Sequence, residues 1–316
     1  MKISGFTMVK NATKLYYPIK ESILSILPIV DEFVVALGDC DEDDTTLIEI
    51  ESINSPKIKI IHTIWDITKY PNGTENAHQS DIAKNHCSGD WLFYLQADEV
   101  IHEKYHNEIV KLCTEQLQNQ KVEGILFKYT HFWGDYFHYQ NGHGWYKNEI
   151  RIIRNLPDIH SWESAQSFRK IPNFDGKNYR QQEGTHKLHV VQTNAHIYHY
   201  GWVRPPKFMQ SKKKSLHTIH KGIKVANQEY DLMEKTYDYG PLEKAQKFTE
   251  THPKVMERWV NAFNWGAELN YTNKEINKNR EKHKHDMLKY RILSFIENHF
   301  LGGRTIGGFK NYIKIK

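Results

Sequence analysis

Residues 89–100 read Gly-Asp-Trp-Leu-Phe-Tyr-Leu-Gln-Ala-Asp-Glu-Val, and this stretch decides the fold. An apolar run from Trp91 to Leu95 follows a polar turn and leads to the carboxylates of Asp98 and Glu99. A continuous apolar run of this length is typical of a strand that is buried on both faces of a parallel sheet. Ligands of open α/β sheets bind at the carboxyl ends of such strands, so the stretch predicts a binding site beside Asp98.

The chemistry of the two carboxylates favours a divalent cation. Hard oxygen ligands suit Mg²⁺ and Mn²⁺, and such an ion bridges the phosphates of a nucleotide. The alternative is a strand that ends in an ordinary solvated turn, which the same residues also fit. The neighbouring segments therefore have to distinguish a metal site from a turn.

The first hundred residues alternate short apolar runs with helical patterns, which is typical of a parallel α/β sheet. The predicted strands are 3–9, 32–37, 57–61 and 91–95, and the predicted helices are one capped by Thr13 and those at 45–53 and 74–88. The second strand also ends in an acidic turn, at residues 38–45. Both acidic turns therefore fall at the carboxyl ends of strands.

The remaining chain divides at Pro205-Pro206, where the composition changes to helix-forming charged residues. Before this point we predict a helix at 103–120 and strands at 124–129, 149–155 and 195–202. After it we predict helices at 207–232 and 241–270. The expected architecture is a mixed, mostly parallel sheet flanked by helices in a domain of residues 1–204, followed by a helical region of residues 205–316.

Bulk composition excludes several classes of protein. The 316 residues carry 43 Lys and Arg against 38 Asp and Glu, a net charge of +5, which suits a small anionic ligand better than nucleic acid. The basic run at 212–214 is too short for a nucleic-acid-binding face. Three cysteines without CxxC spacing indicate neither a disulfide framework nor a thiolate zinc site. With no leader sequence and no apolar run of about 20 residues, we expect a cytoplasmic protein.

Aromatic residues are concentrated between positions 132 and 146. Aromatic rings at a pocket wall commonly stack on a sugar or a base, whereas core packing is the alternative for about half of them. We predict that Trp133 and Trp145, together with Trp162, contact a bound sugar.

The carboxyl-terminal segment, residues 291–316, mixes apolar residues with Arg and Lys. A basic, partly apolar segment suits peripheral contact with an anionic membrane at its inner face. Docking of a terminal element onto the rest of the protein is the alternative.

Three segments together resemble the family 2 glycosyltransferases with the GT-A fold. They are the strand and loop from Phe6 to Asn11, the turn with Asp39, Asp43 and Thr45, and the stretch at 89–99. The resemblance extends over about residues 3–204. It implies a donor that is a nucleoside diphosphate sugar, most often a UDP-sugar and alternatively a GDP-sugar. It also implies a glycan or glycolipid as the acceptor, which Trp133, Trp145 and Trp162 would contact.

The resemblance assigns donor binding to the ends of the first strands. Asp39 falls on the family's base- and ribose-contacting acid, and Thr7 and Asn11 lie in the first strand and its loop. Gln96, Ala97 and Asp98 occupy the family's Asp-x-Asp motif, with Gln96 in place of the first acid. Arg151 is a candidate partner for the diphosphate, although strand arginines often extend to solvent instead.

The resemblance also implies a divalent metal, Mn²⁺ or Mg²⁺. Asp98 matches the acid that meets the metal, and His199 lies in a His-Tyr-Gly segment like the one that supplies a histidine ligand in many members. Because Gln96 replaces an acid, the site carries less negative charge than the family's.

The implied reaction is inverting sugar transfer by a hexosyltransferase, typically in cell-surface polysaccharide or lipopolysaccharide synthesis. It requires a general base for the acceptor hydroxyl. Glu163 is the first candidate, with a structural carboxylate as the alternative reading, and Asp158 is the second candidate.

Two other functions stay open at this stage. A non-catalytic relative would bind a sugar or nucleotide sugar without metal dependence. A nucleotidyltransferase would share the topology and the acids, but it would normally have a glycine-rich phosphate loop, which residues 9–13 do not supply.

Overall fold

A mixed β-sheet forms the centre of the computed structural model, which describes residues 1–231, 236–302, 304–307 and 310–315. Within these residues eleven strands form one sheet, and β9 and β10 form a separate two-stranded sheet. In chain order the strands are β1 (Ile3–Val9), β2 (Glu32–Leu37), β3 (Ile58–His62), β4 (Trp91–Tyr94), β5 (Glu99–Ile101), β6 (Gly124–Trp133), β7 (His138–Gln140), β8 (Asn148–Arg154), β9 (Ile159–Trp162), β10 (Ser167–Lys170), β11 (Leu188–Trp202), β12 (Gln246–Lys247) and β13 (Tyr312–Lys314).

Helices cover both faces of this sheet. In chain order they are α1 (Ile19–Ile26), α2 (Thr46–Glu51), α3 (Thr74–Asn85), α4 (His106–Gln116), α5 (Pro206–Lys221), α6 (Ile223–Asp231), α7 (Glu257–Asn261) and α8 (Leu288–Phe300). None of the described helices is long and apolar enough to cross a membrane.

The central strand pair is β1 and β4, which run parallel with Ile3 opposite Trp91. On one side β1 pairs in parallel with β2, and β2 pairs in parallel with β3. On the other side β4 pairs antiparallel with β8, and β8 pairs antiparallel with β6. The predicted mixed sheet with flanking helices is therefore confirmed, and its change from parallel to antiparallel pairing falls at β4.

Alternate side chains of β4 enter two different cores, which explains its continuous apolar run. Trp91 and Phe93 pack in the core that holds α1 and α4, whereas Leu92 and Tyr94 pack in the core that holds α3 and the β9–β10 sheet. All four side chains have no exposed surface. Because both faces are covered, the first polar residues after β4 emerge at the open end of the sheet.

One predicted helix begins later than expected, and another is wrong. The helix expected from Thr13 starts at Ile19, directly after Pro18, and the hydroxyl of Thr13 instead donates to Asp44 over 2.7 Å. The helix expected at 241–270 is broken into short 3₁₀ segments and α7. Pro241 and Pro253 immediately precede two of these segments, and proline interrupts a continuous helix because it lacks an N–H and clashes with the preceding turn.

The region after residue 204 packs against the rest of the protein. Its strands β12 and β13 pair with β7 and β11, and Met256 and Trp265 pack with Val100 and Phe132. The helix predicted at 207–232 corresponds to α5 and α6, and its last residue, Leu232, lies outside the described residues. Lys316, the end of the predicted basic segment, also lies outside them, and the domain boundary at 204 stays a prediction.

Candidate active site

A cavity of about 550 Å³ opens at the carboxyl ends of the parallel strands. Its walls come from the ends of β1 and β4, from the segment after β3, from β11, and from α5, which covers it. The lining includes Lys10, Asn11, Tyr17, Trp65, Gln96, Ala97, Asp98, His199, Trp202, Lys212 and Leu216. A second cavity of about 330 Å³, beside β7 and β12, contains none of the predicted site residues. The chemistry is therefore concentrated at the end of the central strands.

A buried ion pair between Arg151 and Glu99 fixes the turn after β4. The guanidinium of Arg151 binds both carboxylate oxygens of Glu99, over 2.8 and 2.7 Å, and the Tyr129 hydroxyl donates to the same carboxylate over 2.8 Å. The backbone N–H of Gln96 donates to Glu99 over 3.1 Å. Arg151 has no exposed surface, so its prediction as a donor-binding residue is wrong. Its charge is used inside the protein, where it orients the turn that carries Asp98.

Asp98 and His199 face each other at one end of the cavity. Their nearest atoms, Oδ2 of Asp98 and Nε2 of His199, are 3.7 Å apart. Gly201 lies beside them, and a Cβ at this position would be only 2.5 Å from the histidine nitrogen and 2.6 Å from the carboxylate oxygen. The absence of a side chain at Gly201 therefore keeps open a space that both donor atoms face.

The hydrogen bonds of His131 determine which nitrogen of His199 carries the proton and which keeps a lone pair. Nε2 of His131 lies 2.8 Å from the carbonyl oxygen of Tyr146, which only accepts, so this nitrogen carries the proton. Burial lowers the pKa of His131 to about 3 and that of His199 to about 4, so both rings are neutral at pH 7. Nδ1 of His131 then accepts from Nδ1 of His199 over 2.9 Å. The lone pair of His199 Nε2 is left facing Asp98.

This arrangement fits a divalent ion with two protein ligands. A bare imidazole nitrogen and a carboxylate oxygen suit Mn²⁺ or Mg²⁺, and a second ring that fixes the tautomer is a common support for a metal-binding histidine. Among the described residues no group of three or more His, Cys, Asp and Glu is arranged to hold a metal. The remaining ligands would have to be diphosphate oxygens and water, as is usual for Mg²⁺ at nucleotide sites.

Lys212 from α5 enters the same space. Its ammonium lies 3.3 Å from Asp98 Oδ2 and donates to the carbonyl oxygen of Gly201 over 2.5 Å. Burial, together with the charge of Arg204, lowers the pKa of Lys212, whereas the neighbouring Asp98 carboxylate raises this pKa and favours the charged ammonium. Burial alone would raise the pKa of Asp98, but the charges of Lys212 and Arg204 and the hydrogen bond from Lys212 outweigh it and lower this pKa.

The opposite end of the cavity is flat, aromatic and polar. Trp65 forms its wall, and a Cβ at Gly38 would be 2.4 Å from the indole nitrogen, so Gly38 allows this close packing. Asp39, which is not among the residues that line the cavity, accepts from the backbone N–H of Trp65 over 2.9 Å and pairs with Lys10 over 2.9 Å. Asn11 lines the cavity as predicted for a donor contact.

Thr7 lies outside this cavity. It is fully buried within β1, and its hydroxyl lies 3.4 Å from the carbonyl oxygen of Met8. Its prediction as a donor-binding residue is therefore wrong, because the strand continues for two more residues before the open end of the sheet.

The two predicted base candidates lie at opposite ends of β9. Asp158 precedes the strand and pairs with Lys170 over 3.6 Å, and it is not among the cavity residues. Glu163 follows the strand, and it too is absent from the cavity lining. Its loop does reach the site, however, because Gln96 Nε2 donates to the carbonyl oxygen of Ala165 over 3.1 Å. Of the two, only Glu163 belongs to a loop that contacts a cavity residue.

The loop at 163–166 has an unusual backbone. Glu163 and Ala165 have φ values of 56° and 60°, in the left-handed region that residues with a Cβ adopt at a cost. Contacts hold it there: Arg151 donates to the carbonyl oxygen of Gln166 over 2.9 Å, and the Gln166 amide donates to Glu149 over 3.2 Å. Burial raises the pKa of Glu149 to about 7.

The three tryptophans predicted to contact an acceptor have different surroundings. Trp133 and Trp162 are buried, and their indole nitrogens donate to the carbonyl oxygens of Tyr239 and Gln181. Their prediction as acceptor contacts is wrong, since core packing uses both rings. Trp145 is half-buried and packs at 6.0 Å from Trp202, which does line the cavity.

Sequence reasoning missed several cavity residues. Trp65 follows the third parallel strand, and its position at a strand end could have indicated it. Gly201 and Trp202 adjoin His199 in the segment already identified. Lys212 had no signal, because a lysine in a charged helix resembles any solvent-facing residue until the helix is seen to cover the cavity.

Comparisons with known proteins give limited matches. No family model matches the chain. An uncharacterized glycosyltransferase of Rickettsia bellii (strain RML369-C) is 28% identical over 119 residues, which are 38% of this chain and 35% of that protein, so the match spans about a third of the relative. S. aureus TarS aligns over 69% of this chain and 39% of that chain, with 14% identity and a TM-score of 0.39.

A second solved structure is glucosyl-3-phosphoglycerate synthase from Mycobacterium tuberculosis in complex with Mn²⁺, UDP and glucosyl-3-phosphoglycerate. It aligns over 80% of this chain and 90% of that chain, with 15% identity and a TM-score of 0.38. Structural similarity with TM-scores this low does not indicate a function.

Proposed function

We propose that the protein is a glycosyltransferase that moves a sugar from a nucleoside diphosphate to a glycan or glycolipid acceptor, as an inverting hexosyltransferase. One observation carries the proposal: the cavity at the strand ends joins a flat aromatic end, at Trp65, to a charged end, at Asp98, His199 and Lys212. A nucleoside diphosphate sugar has the same two parts. The partial match to a glycosyltransferase of Rickettsia bellii supports the same class.

The nucleoside would occupy the aromatic end of the cavity. The Trp65 ring offers a face for the base. Asn11 lines the cavity and Asp39 lies beside Trp65, and both would offer polar groups for the base or the ribose. A cavity of about 550 Å³ lies in the range of small-molecule sites. We propose UDP as the nucleotide, with GDP as the alternative, and cell-surface polysaccharide or lipopolysaccharide synthesis as the setting.

The diphosphate would occupy the charged end, where Asp98 and His199 would hold Mn²⁺ or Mg²⁺. When bound, the ion supplies positive charge for the leaving diphosphate. The protein's own contribution is to hold the ligand atoms in place: Glu99 and Arg151 fix the turn of Asp98, and His131 fixes the tautomer of His199. Gln96 orients the adjoining loop through the carbonyl of Ala165.

For the general base we propose Glu163. Its loop contacts Gln96 beside the charged end, and left-handed backbone in residues other than glycine is often found at functional sites. The base would accept the proton of the acceptor hydroxyl as its oxygen bonds to the anomeric carbon and the bond to the diphosphate breaks. Trp202 lines the cavity and packs against Trp145, and both rings would contact the acceptor sugar.

The donor site can be tested by thermal shift with UDP, GDP and their sugars, with and without Mn²⁺. A ligand that binds only the folded state raises the melting temperature by mass action. Asp98→Asn should abolish the Mn²⁺-dependent part of the shift, whereas Asp43→Asn, at an exposed turn acid paired with Lys14, should retain it. An unchanged Mn²⁺-dependent shift in Asp98→Asn would refute the metal assignment.

The base can be tested once the donor is known. Glu163→Gln should bind the donor normally and transfer sugar about 100- to 10,000-fold more slowly, because removal of a general base typically costs this much. Turnover within about twofold of the wild-type rate would exclude Glu163.

A second candidate function is binding of a nucleotide sugar without catalysis. It is favoured by Gln96, which removes one acid from the family's motif, and by Lys212, which neutralises Asp98. The two functions differ in product formation: donor binding without transfer or hydrolysis under any metal condition would support the non-catalytic function.

We also propose that α8 rests on an anionic membrane. Its outer face exposes Leu288, Ile292 and Phe295, next to Lys289 and Arg291, whereas its one acid, Glu297, is buried against His143 and Lys147. An exposed apolar stripe beside basic residues suits the interface of an anionic bilayer. Phe295→Glu should reduce cosedimentation with vesicles that contain anionic lipid, and equal sedimentation of both proteins would contradict the proposal.

A further inference from the structure

Lys212 already supplies a positive charge at the place where the proposed metal would bind. Its ammonium lies 3.3 Å from Oδ2 of Asp98, the same oxygen that faces His199 at 3.7 Å. The aromatic rings of Tyr17 and Trp202 lie 5.1 and 5.6 Å from the ammonium. These rings and the carbonyl oxygen of Gly201 favour a cation at this position.

We propose that Lys212 is the resident cation of the site: in the ligand-free protein it neutralises Asp98 and keeps a free divalent ion out, and on donor binding its ammonium moves from Asp98 to the diphosphate. The movement of the ammonium to the diphosphate rests on the proposed function. The exclusion of a free divalent ion concerns the protein and a metal ion alone.

Repulsion between a bound divalent ion and the Lys212 ammonium requires that the ammonium leave Asp98 when the ion binds. A divalent ion between Asp98 and His199 would share a carboxylate oxygen with the ammonium, and two cations at such a distance repel strongly in a buried site. The four-carbon stem of lysine is flexible, and its ammonium has three donors for phosphate oxygens. Lys212 can therefore leave Asp98 without losing a charged partner once a diphosphate is present.

The other charges of the site favour the same order of events. Because Gln96 replaces an acid, Asp98 and Lys212 together carry no net charge, and a free metal ion gains little attraction. A diphosphate adds the missing negative charge. Arg204 cannot take over the role, since it is fully buried and its guanidinium is held by the carbonyl oxygens of Leu15 and Gly201, over 2.5 and 3.1 Å.

The first test measures Mn²⁺ alone, by the loss of the electron paramagnetic resonance signal of free Mn²⁺ on titration with full-length protein. Lys212→Met removes the competing charge at similar length, so this variant should bind Mn²⁺ at least about tenfold more tightly than the wild type. A charge at this range typically changes the proton affinity of a carboxylate by about 10- to 1,000-fold, and a divalent ion responds at least as strongly. The matched control is Lys214→Met, from the same helix, whose ammonium lies 4.6 Å from the Tyr230 ring. It should behave as the wild type.

Two further variants keep the test decisive. Lys212→Gln loses the charge but keeps a donor for Gly201, so it should show the same gain if Lys212→Met does not fold. Adding Asp98→Asn to either variant should remove the gain, because the gained affinity depends on that carboxylate. Mn²⁺ affinity in the folded Lys212 variants within twofold of the wild type, or weaker, would overturn the proposal.

The second test measures UDP without metal, by calorimetry in the presence of a chelator. Lys212→Met should bind UDP about tenfold more weakly than the wild type and than Lys214→Met, since the diphosphate loses its charged partner. An unchanged UDP affinity would overturn the transfer to the diphosphate. Absence of UDP binding in all three proteins, with the Mn²⁺ gain intact, would instead refute the proposed donor site and leave the exclusion of free metal by Lys212 standing.

Discussion

Two turns meet at the candidate site, and they differ in how the protein holds them. The turn at 96–99 directly follows the buried strand β4, and its carboxylate Glu99 is anchored by Arg151 and Tyr129. The loop at 163–166 follows β9, a short strand outside the main sheet, and it contains two left-handed residues with a Cβ. The first turn is fixed by the sheet, whereas the second is held by contacts from distant segments.

This difference explains which positions at the site could be predicted. Asp98 lines the cavity because the chain just past the end of a central parallel strand lies at the open end of the sheet, and an apolar run followed by acids is visible in the sequence. The position of Glu163 depends on Gln96, Glu149 and Arg151, which are far from it in the chain. No local pattern encodes such contacts.

The largest effect is expected from Arg151→Met, because Arg151 supports both turns. It binds Glu99 of the first turn and the carbonyl of Gln166 in the second, with no exposed surface. Removing one partner of a buried ion pair typically destabilises a protein by about 3–5 kcal/mol. Urea unfolding should show this loss, and the double variant with Glu99→Gln should recover part of it. A loss below about 1 kcal/mol would contradict the view that one ion pair anchors both turns.

The next effect concerns Glu149, whose carboxylate accepts from Gln166 in the second loop. Burial raises its pKa to about 7, so the folded state keeps a proton that the unfolded state, with a pKa of about 4.3, releases. The stability that this group contributes is fully present below the unfolded pKa and is lost as the pH rises through about 7. Relative to Glu149→Gln, which does not titrate, the wild type should therefore lose about 2–3 kcal/mol between pH 5 and pH 8.

Urea unfolding at several pH values measures this difference. Glu243→Gln, at an exposed carboxylate, serves as the matched control and should follow the wild type. Parallel stability curves for the wild type and Glu149→Gln would mean that Glu149 is ionised in the folded protein and does not hold the loop as a neutral acid.

Gly201→Ala tests the first turn with a smaller change. The new Cβ would be 2.5 Å from His199 Nε2 and 2.6 Å from Asp98 Oδ2, so one of the two donors must move. Displacement of metal-ligand geometry typically weakens metal affinity about 10- to 100-fold. We expect the Mn²⁺-dependent part of UDP binding to fall by this factor in calorimetry. In Gly38→Ala the new Cβ would instead clash with the Trp65 indole, so this variant should weaken UDP binding equally with and without Mn²⁺.

The same contrast extends to the whole chain. Strands β1, β2 and β4 were predicted within a residue of their bounds, because their apolar runs reflect burial on both faces. The region after residue 204 was predicted as helical, yet it contributes two short strands to the sheet and Lys212 to the site. These roles depend on where α5 and the later segments pack, and helix propensity contains no information about that.

The smallest effect is expected from Glu163→Gly, and it tests whether the second loop is strained. Left-handed backbone costs a residue with a Cβ about 1–2 kcal/mol, and Glu163 has φ 56°. Glycine removes this cost but gains about 0.5–1 kcal/mol of flexibility in the unfolded chain, so the net stabilisation should be about 0.5–1 kcal/mol. Glu163→Gln keeps the Cβ and should leave stability unchanged, which separates backbone strain from the loss of a carboxylate. If Glu163→Gly lowered the free energy of unfolding instead, the loop would be unstrained, and its backbone would no longer support a functional role for Glu163. A stabilised glycine variant that has also lost transfer activity would show that the protein keeps a less stable loop at the site where the acceptor is proposed to bind.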